Sequence, residues 1–154
     1  MVDLRREIDR ARRSNGALIL AFVDVDGLKA INDTHGHAAG DRALRAVAAA
    51  LLGGLRSYDL VVRHGGDEFL CGLPDTDRAD AQHRLEAVAR TLAEQDPGRS
   101  VSIGLAELAG PETLDALIAR ADADLYAARR NTHGRAGADR TRRFAKNARR
   151  PSKR

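Results

Sequence analysis

The 154-residue sequence predicts an α/β chain of the α+β sandwich kind: a split βαβ arrangement with helices packed on a mixed sheet and one internal β-hairpin. Three observations predict it. Apolar positions alternate along the chain between helical spacing and short strand-like runs. Two of those runs, Leu60-Val61-Val62 and Phe69-Leu70-Cys71, are separated only by a polar turn containing the pair Gly65-Gly66. The chain has five aromatic residues and no tryptophan, so its core must be aliphatic.

The elements follow in order. Residues 3–13 place Leu4, Ile8 and Ala11 at helical spacing, and Ser14-Asn15-Gly16 ends that helix. Residues 18–25 form a nearly continuous apolar run, the pattern of a buried strand. A short helix is expected over 27–32, then a polar turn through Thr34-His35-Gly36-His37. Residues 40–52 form a helix broken by Gly53-Gly54. The hairpin spans about 58–73 and closes at Pro74-Asp75, and residues 77–95 carry Ala81, Leu85, Val88 and Leu92 as a further helix. Pro97-Gly98 turns the chain into a strand over 100–108. Pro111-Glu112 opens a last helix through Leu114, Leu117, Ile118, Ala121 and Leu125, with Gly134 marking its end.

Composition excludes several classes. No run approaches the roughly 18 apolar residues of a membrane span, and no leader pattern opens the chain, so cytoplasmic residence is expected. The single cysteine, Cys71, excludes an internal disulfide and reads as a small core residue. The net charge of +4 is unevenly placed: residues 135–154 hold nine Lys or Arg against Asp139, leaving 1–134 with a net of −4. That division gives an expected domain over 1–134 and a basic, disordered tail over 135–154. Such a tail can meet nucleic acid or an anionic membrane face, or simply be a solvated terminus.

The chemistry gathers at two strand ends. Asp67 and Glu68 follow the glycine turn, and Asp24 and Asp26 close the first strand, where residues i and i+2 share a face. Carboxylates from two strand ends beside bare backbone make a place for a divalent cation and a phosphate chain. Asp26 is left outside the catalytic set. Lys29, five residues past Asp24, can bring a cation toward phosphate oxygens, and Gly65 and Gly66 let backbone N–H groups come near them.

The segments DVDGLKAIND (24–33), GHAAGD (36–41), RSYDLVVRHGGDEF (56–69), SVSIGLAEL (100–108) and ADADLY (121–126) occur in the order and spacing of the GGDEF domain, and the chain resembles that diguanylate cyclase family. The resemblance implies a palm-like fold akin to nucleotide cyclases. It implies condensation of two GTP into cyclic di-GMP with loss of two pyrophosphates, Mg²⁺ or Mn²⁺ as cofactor, and a homodimer formed transiently or through another partner. It further implies Asp24, the Val25 carbonyl, Asp67 and Glu68 as metal ligands, with Asp67, Glu68 and Lys29 as the catalytic set. Asn32, His37, Asp41, Gly65, Gly66 and Arg129 would hold substrate, Asn32 and Asp41 reading guanine. Arg56, Asp59 and Arg63 match an inhibitory site for cyclic di-GMP.

Two departures stand out. The family's opening DxLTGLxNR segment is replaced by a direct start into RREIDRARR, so a domain lacking that segment, with no sensor domain in cis, is expected. Arg129 stands where the family has a lysine, and Gly134-Arg135 is displaced by two residues. The rival readings are a catalytically silent module that binds cyclic di-GMP or GTP, and a nucleic-acid-binding protein acting through its tail.

Overall fold

The computed structural model describes residues 1–147, with side chains described for 1–130. The elements are α1 (Val2–Ser14), β1 (Leu18–Val25), α2 (Leu28–His35), α3 (His37–Gly54), β2 (Leu60–Arg63), β3 (Glu68–Pro74), α4 (Arg78–Gln95), β4 (Val101–Glu107) and α5 (Leu114–Asn147). The sheet order is β2-β3-β1-β4, and every neighbouring pair is antiparallel. The expected mixed sheet is therefore corrected. β1 and β2 do run parallel, as do β3 and β4, but β3 separates the first pair and β1 the second. The split βαβ connection is present twice, and because each is split, no parallel strands touch.

Alternation along β1 divides the core. Ile19, Ala21, Val23 and Val25 pack with Val47 and Leu51 of α3 and Leu85 and Leu92 of α4. Leu18, Leu20 and Phe22 pack with Leu4 and Ile8 of α1 and Leu117 and Leu125 of α5. Each fully buried leucine contributes roughly 2 kcal/mol of apolar transfer. The same parity sends the side chains of Asp24 and Asp26 to the α5 side of the sheet.

Several helix limits differ from the sequence expectation. The polar turn at 34–37 shrinks to Gly36, whose φ of 78° ends α2 and lets α3 begin at once on His37. Gly53 and Gly54 fall inside the last turn of α3, since about 1 kcal/mol of glycine cost does not stop a helix already packed on a core. α5 runs through Gly134 to Asn147, and it starts at Leu114 rather than at Pro111. The basic segment is thus helical backbone to Asn147, and residues 148–154 lie outside the described residues. No helix among the described residues is long and apolar enough to cross a membrane.

The outer edge of β4 is closed by side chains. Arg78 donates to the Leu105 carbonyl at 2.8 Å, and Asp124 accepts from the Leu105 N–H at 2.8 Å. Arg78 and Asp124 also pair with each other through both carboxylate oxygens at 2.8 Å. These contacts occupy the outward-facing backbone groups of Leu105 on that edge.

A second polar network ties β2 to α4. The Asp59 side chain has no solvent exposure, and its Oδ2 accepts from the Arg56 backbone N–H at 2.8 Å and from Arg84 at 3.2 Å. Arg84 also donates to Thr76 at 2.7 Å and to Asp80 at 2.6 Å. Asp59→Asn removes the charge that faces a largely buried guanidinium. The expected cost is about 2 kcal/mol, read as a fall in Tm of roughly 4–8 °C. An unchanged melting curve would show that Arg84 is held by Asp80 and Thr76 alone. Cys71 is buried as expected, and burial, with the Asp59 charge, pushes its thiol up to about 12, so it is inert at neutral pH.

Candidate active site

The central pair of strands assembles the acids. In the β1–β3 register Asp24 lies opposite Glu68, and the Val25 N–H donates to the Asp67 carbonyl at 2.9 Å, continuing the ladder past the last strand pair. Asp24, Asp67 and Glu68 each offer a carboxylate oxygen, and these three oxygens lie within 4.8 Å of one another. Three hard, anionic oxygen donors at that spacing fit a divalent cation such as Mg²⁺ or Mn²⁺. The Val25 side chain is buried in the core, so only its backbone is available to such an ion.

The glycine turn is built for approach rather than for an unusual backbone. Neither Gly65 nor Gly66 has a positive φ. A Cβ on Gly65 would come within 2.6 Å of the Glu68 Oε2, whereas a Cβ on Gly66 would meet nothing within 4 Å. Gly65 thus makes room for the Glu68 carboxylate, and Gly66 presents open backbone. Arg63 fastens the turn by donating to the carbonyls of Gly65 at 3.1 Å and Gly66 at 2.7 Å. His64 packs edge-on against Phe22.

Arg129 of α5 reaches into the acids. It donates to Asp24 and, at 3.0 Å, to Asp26 Oδ1. Asp26 is held in turn by the hydroxyls of Ser102 in β4 and Ser100 just before it, each donating at 2.7 Å. Sequence reasoning paired Asp26 with Asp24 but left it outside the catalytic set, and it did not single out Ser100 or Ser102. Only the shared face of Asp24 and Asp26 hinted at them, because the serines reach Asp26 through a strand pairing some 75 residues away in sequence. A cleft of about 630 Å³ opens beside this clamp, lined by Asp26, Gly27, Ser100, Ser102 and Arg129 among others.

Charge in the site follows from these contacts. Burial pushes the Asp24 carboxyl above its ordinary value, the Arg129 hydrogen bond and charge pull it back, and the neighbouring charges of Asp67 and Asp26 add to the rise. Burial acts on Asp26 in the same direction, but hydrogen bonds from Ser102, Ser100 and Arg129 outweigh it and hold the group below the usual range. A protonated Asp24 is a poor cation ligand. Mn²⁺ affinity should therefore begin to fall, as pH is lowered, while still above the ordinary aspartate value of about 3.9. Titrations of Mn²⁺ at stepwise lower pH check this, and affinity that holds steady down to that value would contradict it.

The remaining sequence-predicted residues lie on α2, on α3 and just before β2. Lys29 is exposed on the first turn of α2, and His37 is exposed at the start of α3. Asn32 on α2 and Asp41 on α3 come from two helices that pack against each other. Asn32 lies four residues, about 6 Å of helix rise, beyond the start of α2 at Leu28. Arg56 and Asp59 do meet, but through the Arg56 backbone, and Asp59 is enclosed; the Arg56 guanidinium stays partly exposed near Asp80 and over the Tyr58 ring. The side chain of Arg135 lies outside the described residues.

A family model described as diguanylate cyclase, GGDEF domain, matches residues 2–135. Diguanylate cyclase DgcP of Pseudomonas aeruginosa is 38% identical over 134 residues, covering 82% of this chain and 20% of that protein. Diguanylate cyclase DosC of Escherichia coli is 36% identical over 139 residues, covering 85% of this chain and 30% of that protein. The chain thus spans less than a third of either relative. Among solved structures, the GGDEF domain of DgcB from Caulobacter crescentus, in complex with c-di-GMP, matches with a TM-score of 0.77 at 29% identity, covering 84% of this chain and 81% of that one.

Proposed function

The chain belongs to the diguanylate cyclase GGDEF domain family, and from that premise we propose that it condenses two GTP into cyclic di-GMP and two pyrophosphates. The observation that carries the proposal is the convergence of Asp24, Asp67 and Glu68, their oxygens within 4.8 Å, beside the Arg129 guanidinium. Residues 1–134 form the catalytic domain in this reading, with 135–154 a basic extension, and cytoplasmic residence gives it access to GTP.

Asp24, Asp67, Glu68 and the Val25 carbonyl would hold the cation. Mg²⁺ or Mn²⁺, when bound, polarises the α-phosphate and makes a 3′-hydroxyl easier to deprotonate. In each half-reaction a 3′-oxygen bonds to the α-phosphorus of the other GTP, the bond to pyrophosphate breaks, and Asp67 accepts the hydroxyl proton, with Glu68 beside it. Lys29, Arg129 and the open backbone of Gly65 and Gly66 bind the phosphate chain and offset the charge that develops on it. His37 would touch substrate, while Asn32 and Asp41 would read the base.

Cyclic di-GMP contains two such linkages, and one site holding one GTP supplies half. Two copies of the chain must therefore face each other, each setting its acids against the partner's nucleotide. Product feedback would run through the exposed guanidinium of Arg56, with Arg63 near the turn. Enclosure of the Asp59 carboxylate leaves the receptor-only reading with less support, since that group is committed to Arg84 and the Arg56 N–H.

The test is to incubate the purified chain with GTP and Mg²⁺ and separate the products by chromatography. Cyclic di-GMP at a rate rising faster than linearly with protein concentration supports a transient dimer. Unchanged GTP at high protein concentration, together with saturable cyclic di-GMP binding, would instead favour a receptor.

A further inference from the structure

Asn32 carries an unexplained cost. Its Oδ1 is buried with no hydrogen-bond partner among the described residues. It lies against Gly40 of α3, where an added Cβ would stand 2.0 Å from Oδ1, 2.9 Å from Cγ and 3.2 Å from Nδ2. The amide therefore occupies the volume a side chain at position 40 would fill. Gly40 is itself buried and has an ordinary helical backbone, so neither a turn nor a positive φ accounts for glycine there.

Resting on the nucleotide reading above, we infer that Gly40 is a positioning residue for base recognition: the space of its missing Cβ seats the Asn32 amide with oxygen inward and nitrogen outward. An orphaned acceptor costs less than burying both N–H donors of Nδ2 in the same place, so the packing fixes which end faces a ligand. The outward donor suits the 6-oxo group of guanine and opposes the 6-amino group of adenine, which is also a donor. Asp41, the next residue, is exposed and accepts from the N1–H and 2-amino donors that guanine alone presents together. Gly40 thus sets one reader across the helix pair and precedes the other in the chain.

The substitution Gly40→Ala has two separable effects. The clash is with the tip of a mobile side chain, so the fold absorbs it by swinging Asn32 outward, and alanine favours α3. Melting temperature stays level or rises. Nucleotide recognition falls, because the displaced amide no longer meets the base while its acceptor is turned outward. The experiment measures binding of the β,γ-imido analogues of GTP and ATP, with Mg²⁺, to wild type, Gly40→Ala, Asn32→Ala and the double variant, alongside thermal melts. Expected is a loss of about 10-fold or more in guanine-analogue affinity for Gly40→Ala, a matching loss of guanine-over-adenine preference, and a double variant no weaker than Asn32→Ala alone. If Gly40→Ala unfolds and the double variant folds, the clash lies with Asn32, as inferred. Wild-type preference retained in Gly40→Ala, or losses that add in the double variant, overturns the positioning role. Wild type that binds neither analogue overturns the nucleotide reading and this inference with it.

Discussion

Asp67→Asn is expected to lower cyclic di-GMP formation by about 10³-fold while leaving the protein as stable as before, or more so. The change is isosteric, and the structural duty of position 67 belongs to its backbone carbonyl, which receives the Val25 N–H at 2.9 Å and is untouched. What is lost is one of three carboxylates held within 4.8 Å and the acceptor for the hydroxyl proton. Like charges this close repel, and the Asp67 charge is one cause of the raised Asp24 carboxyl. Removing it relieves that strain and should bring Asp24 down toward its ordinary value. A stability gain coupled to an activity loss marks a site arranged for function rather than for folding. Chromatographic rates and thermal melts on the same preparation check both halves. Turnover within about threefold of wild type would remove Asp67 from the proton-accepting role.

Gly104→Ala should cost at least about 3 kcal/mol, a large share of the stability of a domain this size. A Cβ at 104 would stand 2.2 Å from the Ala121 carbonyl oxygen, 2.3 Å from the Leu125 nitrogen and 2.6 Å from the Leu125 Cβ. Two of these are backbone atoms of α5, so no rotamer change relieves the clash; the helix must lift from the sheet. Leu117, Ala121 and Leu125 would then lose part of their packing on Leu20 and Phe22. The displacement also carries Arg129 away from Asp24 and Asp26, so activity should fall even where the variant remains folded. Gly53→Ala is the control, because a Cβ there meets nothing within 4 Å. Chemical denaturation should separate the two by more than 3 kcal/mol. Equal midpoints would mean that α5 sits further from β4 than described.

The parts of this molecule legible in its sequence were those set by local chemistry. The apolar run at 18–25, the glycine hairpin and the acids at 24, 67 and 68 each announce themselves within a few residues, and the structure brings those acids together. Less legible was whatever depends on which strands become neighbours. The antiparallel sheet follows from β3 entering beside β1, a long-range choice that no periodicity encodes. The clamp of Ser100 and Ser102 on Asp26 exists only because β4 takes the other side of β1, so Asp26 read as a dispensable companion of Asp24. Asp59 read as a member of a ligand site with Arg56 and Arg63, because its spacing to Arg56 was visible, whereas the guanidinium it faces, that of Arg84, lies 25 residues on in α4. The Arg129 substitution could be seen, but not its consequence. A guanidinium can bridge Asp24 and Asp26 together, which the point charge of a lysine does less well.

The account rests most directly on a divalent ion held by side chains 24, 67 and 68 next to a triphosphate. Crystals grown with Mn²⁺ and the β,γ-imido analogue of GTP would show it by anomalous scattering. The predicted result is a manganese peak at about 2.1–2.3 Å from oxygens of Asp24 and of Asp67 or Glu68, with the phosphates against the cleft that Arg129 lines. Nucleotide bound with its phosphates elsewhere, and no metal among the three carboxylates, would contradict it.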